Sequence, residues 1–309
     1  MLVTSMMSIG FASCNNDESV NNETPQDAQV STRSVAEKTP KLTVYVETND
    51  INPLNMGEYY FGNDVNDQVI DHVILFASNI RGTANTVQLF HNDNQTYILN
   101  HRSTLIAPLQ AKGVKVLLGL LGDHTGVGFA NLTSDMINDF AQQVADCVNN
   151  NNLDGVDFDD EYAECGRIGG LPDPSIEIYG NLIQKVRQLL PNKLITAFQF
   201  SDSGIGLNFN QTTLNALSYM WPNFGVSANP YASSGFANSK WARMSIQYTQ
   251  GIPIPTVITN TAKAYNGYGA IMMFNMRDDN ASGMMNNFAP YVWGGKTVSR
   301  TNNYYSKNY

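Results

Sequence analysis

Leu153-Asp154-Gly155-Val156-Asp157-Phe158-Asp159-Asp160-Glu161 is the stretch from which the fold can be read outward. It mixes apolar residues with acids, and bulky apolar side chains occupy Val156 and Phe158. In an extended strand, successive side chains point to opposite faces. Asp157, Asp159 and Glu161 therefore share one face, stepping about 6–7 Å per pair of residues, and Val156 and Phe158 take the other. Three carboxylates in one row repel, and burial raises the cost. The arrangement is useful where protons are shared, because neighbouring carboxylates raise one another's pKa and one can stay protonated near neutral pH as a general acid. Acid clusters also bind Ca²⁺ or Mg²⁺, but no EF-hand spacing is present. A solvated face fits poorly with the apolar flanks. Catalytic carboxylates are the expectation, with neither metal nor other cofactor.

Seven further apolar runs accompany this one: Leu42–Val46, Val73–Ala77, Val114–Leu121, Leu194–Phe200, Ser218–Trp221, Met244–Gln247 and Ala270–Asn275. They are continuous, as parallel strands covered on both faces should be. Helical patterns lie between them. Ser134–Val148 places Met136, Phe140, Val144 and Cys147 on one face behind a Ser134 cap, and Ser175–Leu190 does the same with Tyr179, Leu182, Ile183, Val186 and Leu190. Lys263–Gly269 reads as a helix end closed by glycine. Eight strands alternating with helices predict an α/β fold, a single-domain (β/α)₈ TIM barrel. An open doubly wound sheet would want a Gly-rich turn after its first strand, and Tyr45-Val46-Glu47-Thr48-Asn49 offers none. In a barrel, chemistry sits at the carboxyl ends of the strands, where Glu161 falls.

At 309 residues the chain is long enough for one such barrel. Its 18 basic against 27 acidic residues, net −9, leave no basic stripe for nucleic acid. Residues 1–13 carry a short apolar stretch ending in small residues before Cys14, too short to span a bilayer. They resemble a bacterial lipoprotein signal with Cys14 as the lipidated residue. Residues 14–40, rich in Asn, Ser, Glu, Asp and Gln, read as a flexible tether, and residues 41–309 as the catalytic barrel. An exported protein on the outer membrane or cell surface follows, touching membrane only through the anchor. An export route would permit a Cys147–Cys165 disulfide, and Cys147 could equally be a core thiol. His72, His91, His101 and His124 are not spaced as zinc ligands.

The run Asp154–Glu161 matches the DxxDxDxE signature of glycoside hydrolase family 18. More widely, Leu153–Glu164 resembles the endoglycosidase H and F type of small bacterial enzyme. Val114-Lys115-Val116-Leu117-Leu118 with Gly122 and Gly126–Asn131 is similar to the third strand and loop of those enzymes. Tyr45-Val46-Glu47 and Leu75–Ile80 are similar to their first two strands. The resemblance covers Lys41 to about Tyr291. It implies an endo-β-N-acetylglucosaminidase that cuts the β-1,4 bond of the N,N'-diacetylchitobiose core of N-linked glycans, the glycan or glycoprotein being its partner. Family 18 is an exception to the two-carboxylate scheme: the substrate's own 2-acetamido oxygen is the nucleophile.

By that resemblance Glu161 donates the proton, Asp159 holds the acetamido N–H, and Asp157 shares a proton with Asp159. Relatives place a tyrosine near the intermediate at the end of the sixth strand, where this chain has Tyr219-Met220-Trp221. Tyr219 is the expected catalytic partner, with Trp221 on the same strand face. Gln199, Phe274, Asn275, Glu47 and Asp123 are the other expected sugar contacts, with Asn49 and His124 as further loop polars. Asp154, on the opposite parity, reads as structural, and Gly155 as a packing position. Two rivals remain: a non-catalytic surface glycan-binding protein on the same barrel, and a chitinase. Presence of Glu161 argues against the first, and no tryptophan closes the eighth strand as in chitinases.

Overall fold

The computed structural model describes residues 38–309; the signal segment and nearly all of the tether expected before them lie outside the described residues. Eight strands form the barrel: β1 Lys41–Glu47, β2 His72–Gly82, β3 Lys115–Leu121, β4 Gly155–Asp160, β5 Leu194–Ser201, β6 Tyr219–Pro222, β7 Ala242–Gln247 and β8 Ala270–Phe274. Each from β1 to β5 pairs in parallel with the next, β7 pairs with β8, and β8 returns to β1 in the register Lys41↔Ala270. A single parallel bridge, Met220↔Trp241, closes the ring between β6 and β7. All eight strand expectations match.

The expected alternation with helices is incomplete. Helices α1 Asp93–Asn100, α2 Ser134–Asn150, α3 Ile176–Leu189, α4 Gln211–Ala216 and α5 Pro255–Lys263 cover much of the ring. Between β1 and β2, a 3₁₀ turn and two strands of a small three-stranded sheet replace a helix, and between β6 and β7 there are only 3₁₀ turns and a two-residue strand. The α2 cap is Thr133 rather than Ser134: its Oγ1 accepts the Met136 N–H at 3.3 Å, leaving Ser134 as the first helical residue. Ser175 caps α3 through the Ile178 N–H at 3.2 Å. Helix α5 stops at Lys263 with Ala264 as its cap, so Gly269 is not a helix cap. A Cβ at Gly269 would lie 1.7 Å from the Ser239 carbonyl oxygen, so it is close approach of backbone that requires glycine there.

Val156 and Phe158 join the layer between strands and helices, while Tyr45, Ile74, Phe76, Leu117, Phe198 and Trp221 fill the barrel interior. Gly155 faces the same interior; a Cβ would sit 2.1 Å from the Leu194 carbonyl oxygen, so β4 and β5 pack with no room for a side chain. Asp154 is structural: its Oδ2 accepts the Val116 N–H at 2.9 Å and the Gln110 side-chain N–H at 2.8 Å, and Lys115 lies 3.1 Å from Oδ1. Cys147 and Cys165 are both free thiols. Among the described residues no helix is long and apolar enough to cross a membrane.

Candidate active site

The carboxyl ends of β1, β3, β4, β7 and β8 surround a cavity of about 400 Å³. Its polar walls are Glu47, Asp159, Glu161, Gln247 and Gln250, and its apolar walls include Tyr45, Phe76, Phe198, Phe224 and Phe274. Alternation along β4 delivers the acids: Asp157 is deepest and fully buried, Asp159 is 3% exposed, and Glu161 is half-buried at the mouth.

Asp157 is held from two sides. The Tyr45 hydroxyl donates to Oδ2 at 2.5 Å and the Thr196 hydroxyl to Oδ1 at 2.5 Å, while the Trp221 indole N–H donates to the Tyr45 oxygen at 2.7 Å. Burial outweighs these two bonds and pushes Asp157 up to about 7. Asp159 is pushed well above the ordinary carboxylate range, by burial first and then by the charges of Glu161, Asp157, Asp160 and Asp202. Burial, then Asp202 and Asp160, push Glu161 up to about 7. The row therefore holds its protons to higher pH than free carboxylates do, with burial the first cause at each acid and repulsion from row neighbours entering second, at Asp159. Asp159 Oδ1 is buried and has no hydrogen-bond partner, an acceptor left for something that enters the cavity. Among the described residues no group of three or more His, Cys, Asp or Glu side chains is arranged to hold a metal ion.

The cavity brings together Glu161, Asp159, Glu47 and Phe274 of the expected residues, with Asp157 directly beneath. The others are elsewhere. Tyr219 points into the barrel but at its amino-terminal end, its ring 5.5 Å from that of His72, the first residue of β2. Trp221 is buried beneath the cavity, bonded to Tyr45, and does not line it. Gln199 follows Phe198 on the opposite parity: Phe198 lines the cavity, and Gln199 turns away to the Tyr231 hydroxyl at 3.4 Å. Asn275 is tied at the rim to Arg277 at 3.1 Å and Thr249 at 3.4 Å. Asp123 is paired with Arg81, and His124 with Glu164 at 2.8 Å. Asn49 accepts from Asn92 and Asn94.

Sequence reasoning missed Tyr45, Phe198, Phe224, Gln247 and Gln250 as site residues. Parity held the signal for Tyr45, two residues before Glu47, and for Phe198. Gln250, three residues beyond β7, carried none.

Buried acids that retain protons, an unpartnered acceptor and a wall of aromatic rings at the mouth of a (β/α)₈ barrel are the equipment of a sugar-cleaving barrel. Residues 41–216 match the family model described as glycosyl hydrolases family 18. The chain is 34% identical over 259 residues to endo-beta-N-acetylglucosaminidase of Flavobacterium sp. (strain SK1022), covering 82% of this chain and 81% of that one. It is 32% identical over 254 residues to endo-beta-N-acetylglucosaminidase F1 of Elizabethkingia meningoseptica, covering 78% and 73%. The chain belongs to glycoside hydrolase family 18 and is a sugar-cleaving enzyme. Among solved structures it is similar to EndoBT-3987 of Bacteroides thetaiotamicron, with a TM-score of 0.76 and 28% identity in the complex with Man9GlcNAc2Asn substrate, covering 88% of this chain and 70% of that one. In the complex with Man5GlcNAc product the TM-score is 0.75, and this chain spans 64% of the length of that one.

Proposed function

We propose that the protein is an endo-β-N-acetylglucosaminidase that hydrolyses the β-1,4 bond of the N,N'-diacetylchitobiose core of N-linked glycans, with the substrate as its own nucleophile. The observation that carries the reading is the unpartnered buried oxygen of Asp159 beside Glu161 in an aromatic-walled cavity. Glu161 gives its proton to the glycosidic oxygen as the bond from C1 breaks. The 2-acetamido oxygen attacks C1 and forms a cyclic oxazolinium, while Asp159 accepts the acetamido N–H. Asp157 shares protons beneath. A nucleophile attached to the reacting sugar has an effective molarity of about 10⁵–10⁸ M, so the protein need supply none. Water then attacks C1, Glu161 takes its proton, and configuration is retained. The endo-acting relatives and the complex of the Bacteroides enzyme with Man9GlcNAc2Asn favour N-glycan over chitin.

Glycan release from a high-mannose glycoprotein, read by mass spectrometry, tests the proposal. Glu161→Gln should lower turnover by about 10²–10⁴-fold and keep glycan binding, because the acid is gone and the pocket is not. Wild-type turnover in that variant removes Glu161 from the reaction, and release of sugar from chitin oligomers alone favours a chitinase. We also propose export and a lipid anchor at Cys14, read from residues 1–14 alone. Cys14→Ala should then move the protein from the membrane to the soluble fraction, and an unchanged distribution rejects the anchor.

A further inference from the structure

Asp202 belongs to neither the row of acids nor the cavity wall, yet it is bonded to the residues on both sides of Glu161. It is the first residue after β5, and its backbone N–H donates to the Asp160 carbonyl at 3.1 Å, which places it beside the end of β4. Its Oδ2 accepts the Tyr162 N–H at 2.5 Å. Tyr162 directly follows Glu161 and has φ +62°, the left-handed region that a bulky residue keeps only where its surroundings hold it. The loop after β3 supplies the rest of the hold: the Gly122 N–H donates to the Glu161 carbonyl at 3.0 Å and the His124 N–H to the Tyr162 carbonyl at 2.7 Å. Of these grips on the turn, only that from Asp202 comes from a side chain, and it is charged.

We propose that Asp202 is a positioning residue for Glu161, gripping the left-handed turn that carries the acid into the cavity and lending it a neighbouring negative charge. The proposal rests on Glu161 being the proton donor. Charged and titratable groups approach Glu161 from several elements. Asp159 and Asp160 are on its own strand, with Tyr162 beside it and Asp202 at β5. Glu47 lines the same cavity from β1, and behind it Arg277 pairs with Asp50 at 2.9 Å. On the loop after β3, Asp123 pairs with Arg81, and His124 and Arg167 with Glu164. After burial, the charges that act on Glu161 are Asp202 and then Asp160, and both favour its protonated form. Without the charge of Asp202, Glu161 would release its proton at lower pH.

The test uses the full chain with Asp202→Asn, Asp202→Ala and Glu161→Gln. The ¹³C NMR titration of Glu161, identified as the carboxyl resonance lost in Glu161→Gln, is read alongside kcat/KM against pH. In Asp202→Asn the amide oxygen can still accept from Tyr162. The Glu161 midpoint should fall by about half a pH unit or more, the alkaline limb of kcat/KM should move down equally, and KM should change little. Asp202→Ala should add a loss of about tenfold or more in kcat on the acid side of that limb, where Glu161 is protonated in both proteins. An unmoved midpoint in Asp202→Asn, or wild-type kcat in Asp202→Ala, overturns the proposal. Should Asp202→Ala fail to fold, Asp202→Asn decides. Should the wild type release no glycan, the proposed activity falls, and the titration still decides whether Asp202 acts on Glu161.

Discussion

Tyr45 joins the interior of the barrel to its acids. Its hydroxyl donates to Asp157 and accepts from Trp221, so one oxygen serves two fully buried polar groups. Tyr45→Phe would strand the indole N–H and remove one of two donors from Asp157. A buried polar group left without its partner costs about 1–3 kcal/mol, and urea denaturation at fixed pH should read a loss of that size; unchanged stability would mean water replaces the hydroxyl. The same residues show what the sequence could disclose. Parity alone assigned Asp157, Asp159 and Glu161 to one face, because acids on alternate positions of an extended strand must all point the same way. For Tyr219 and Trp221, parity gave the face and not the depth. Both point inward, but one meets His72 at the far end and the other ends on Tyr45. Gln199 and Asp123 were chosen for polarity, and each is satisfied by a partner, Tyr231 or Arg81, that lies far along the chain.

Strands were more legible than their connections. A buried parallel strand must be apolar on both faces, so all eight appear as short apolar runs whatever surrounds them. The connections have no such requirement. Where β1 leads to β2, the chain places Tyr59–Phe61 between Asp64–Gln68 and Val298–Arg300, and the second of these pairings joins segments more than 200 residues apart in sequence. No local pattern announces it. Caps fall between these extremes. The Ser134 expectation missed by one residue because Thr133 and Ser134 are both good N-caps, and only the backbone decides which hydroxyl faces the Met136 N–H. The cavity inherits this division: β4 supplies the residues that could be read, and the loop after β7 supplies Gln250, which could not.

For the molecule as a whole, buried acids couple stability to pH. Asp157 has a folded pKa near 7 and an unfolded one near 4, so the folded state holds its proton more tightly. Its contribution is fully present below the unfolded value and is lost as pH rises through the folded one. Asp160, pushed up to about 6 by burial, and Asp159 act in the same sense. Glu58 runs the other way: burial raises it, but hydrogen bonds from Lys112, Thr301 and Asn303 prevail and hold it low, so its influence is confined to acid conditions. The Tm should therefore fall as pH is raised from about 5 to about 8, and the fall should be shallower in Asp157→Asn. Calorimetry across that window checks it, and a rising Tm would reject it. The ring itself is uneven. Seven of its eight seams are ladders of paired backbone, and the one between β6 and β7 is fastened at Met220 and Trp241 alone. Thermal breathing of a hoop begins where it is least laced, so deuterium should enter the backbone of Tyr219–Pro222 sooner than that of β4, which is laced to a neighbour on both sides. The acids are thus mounted away from the stave that loosens first.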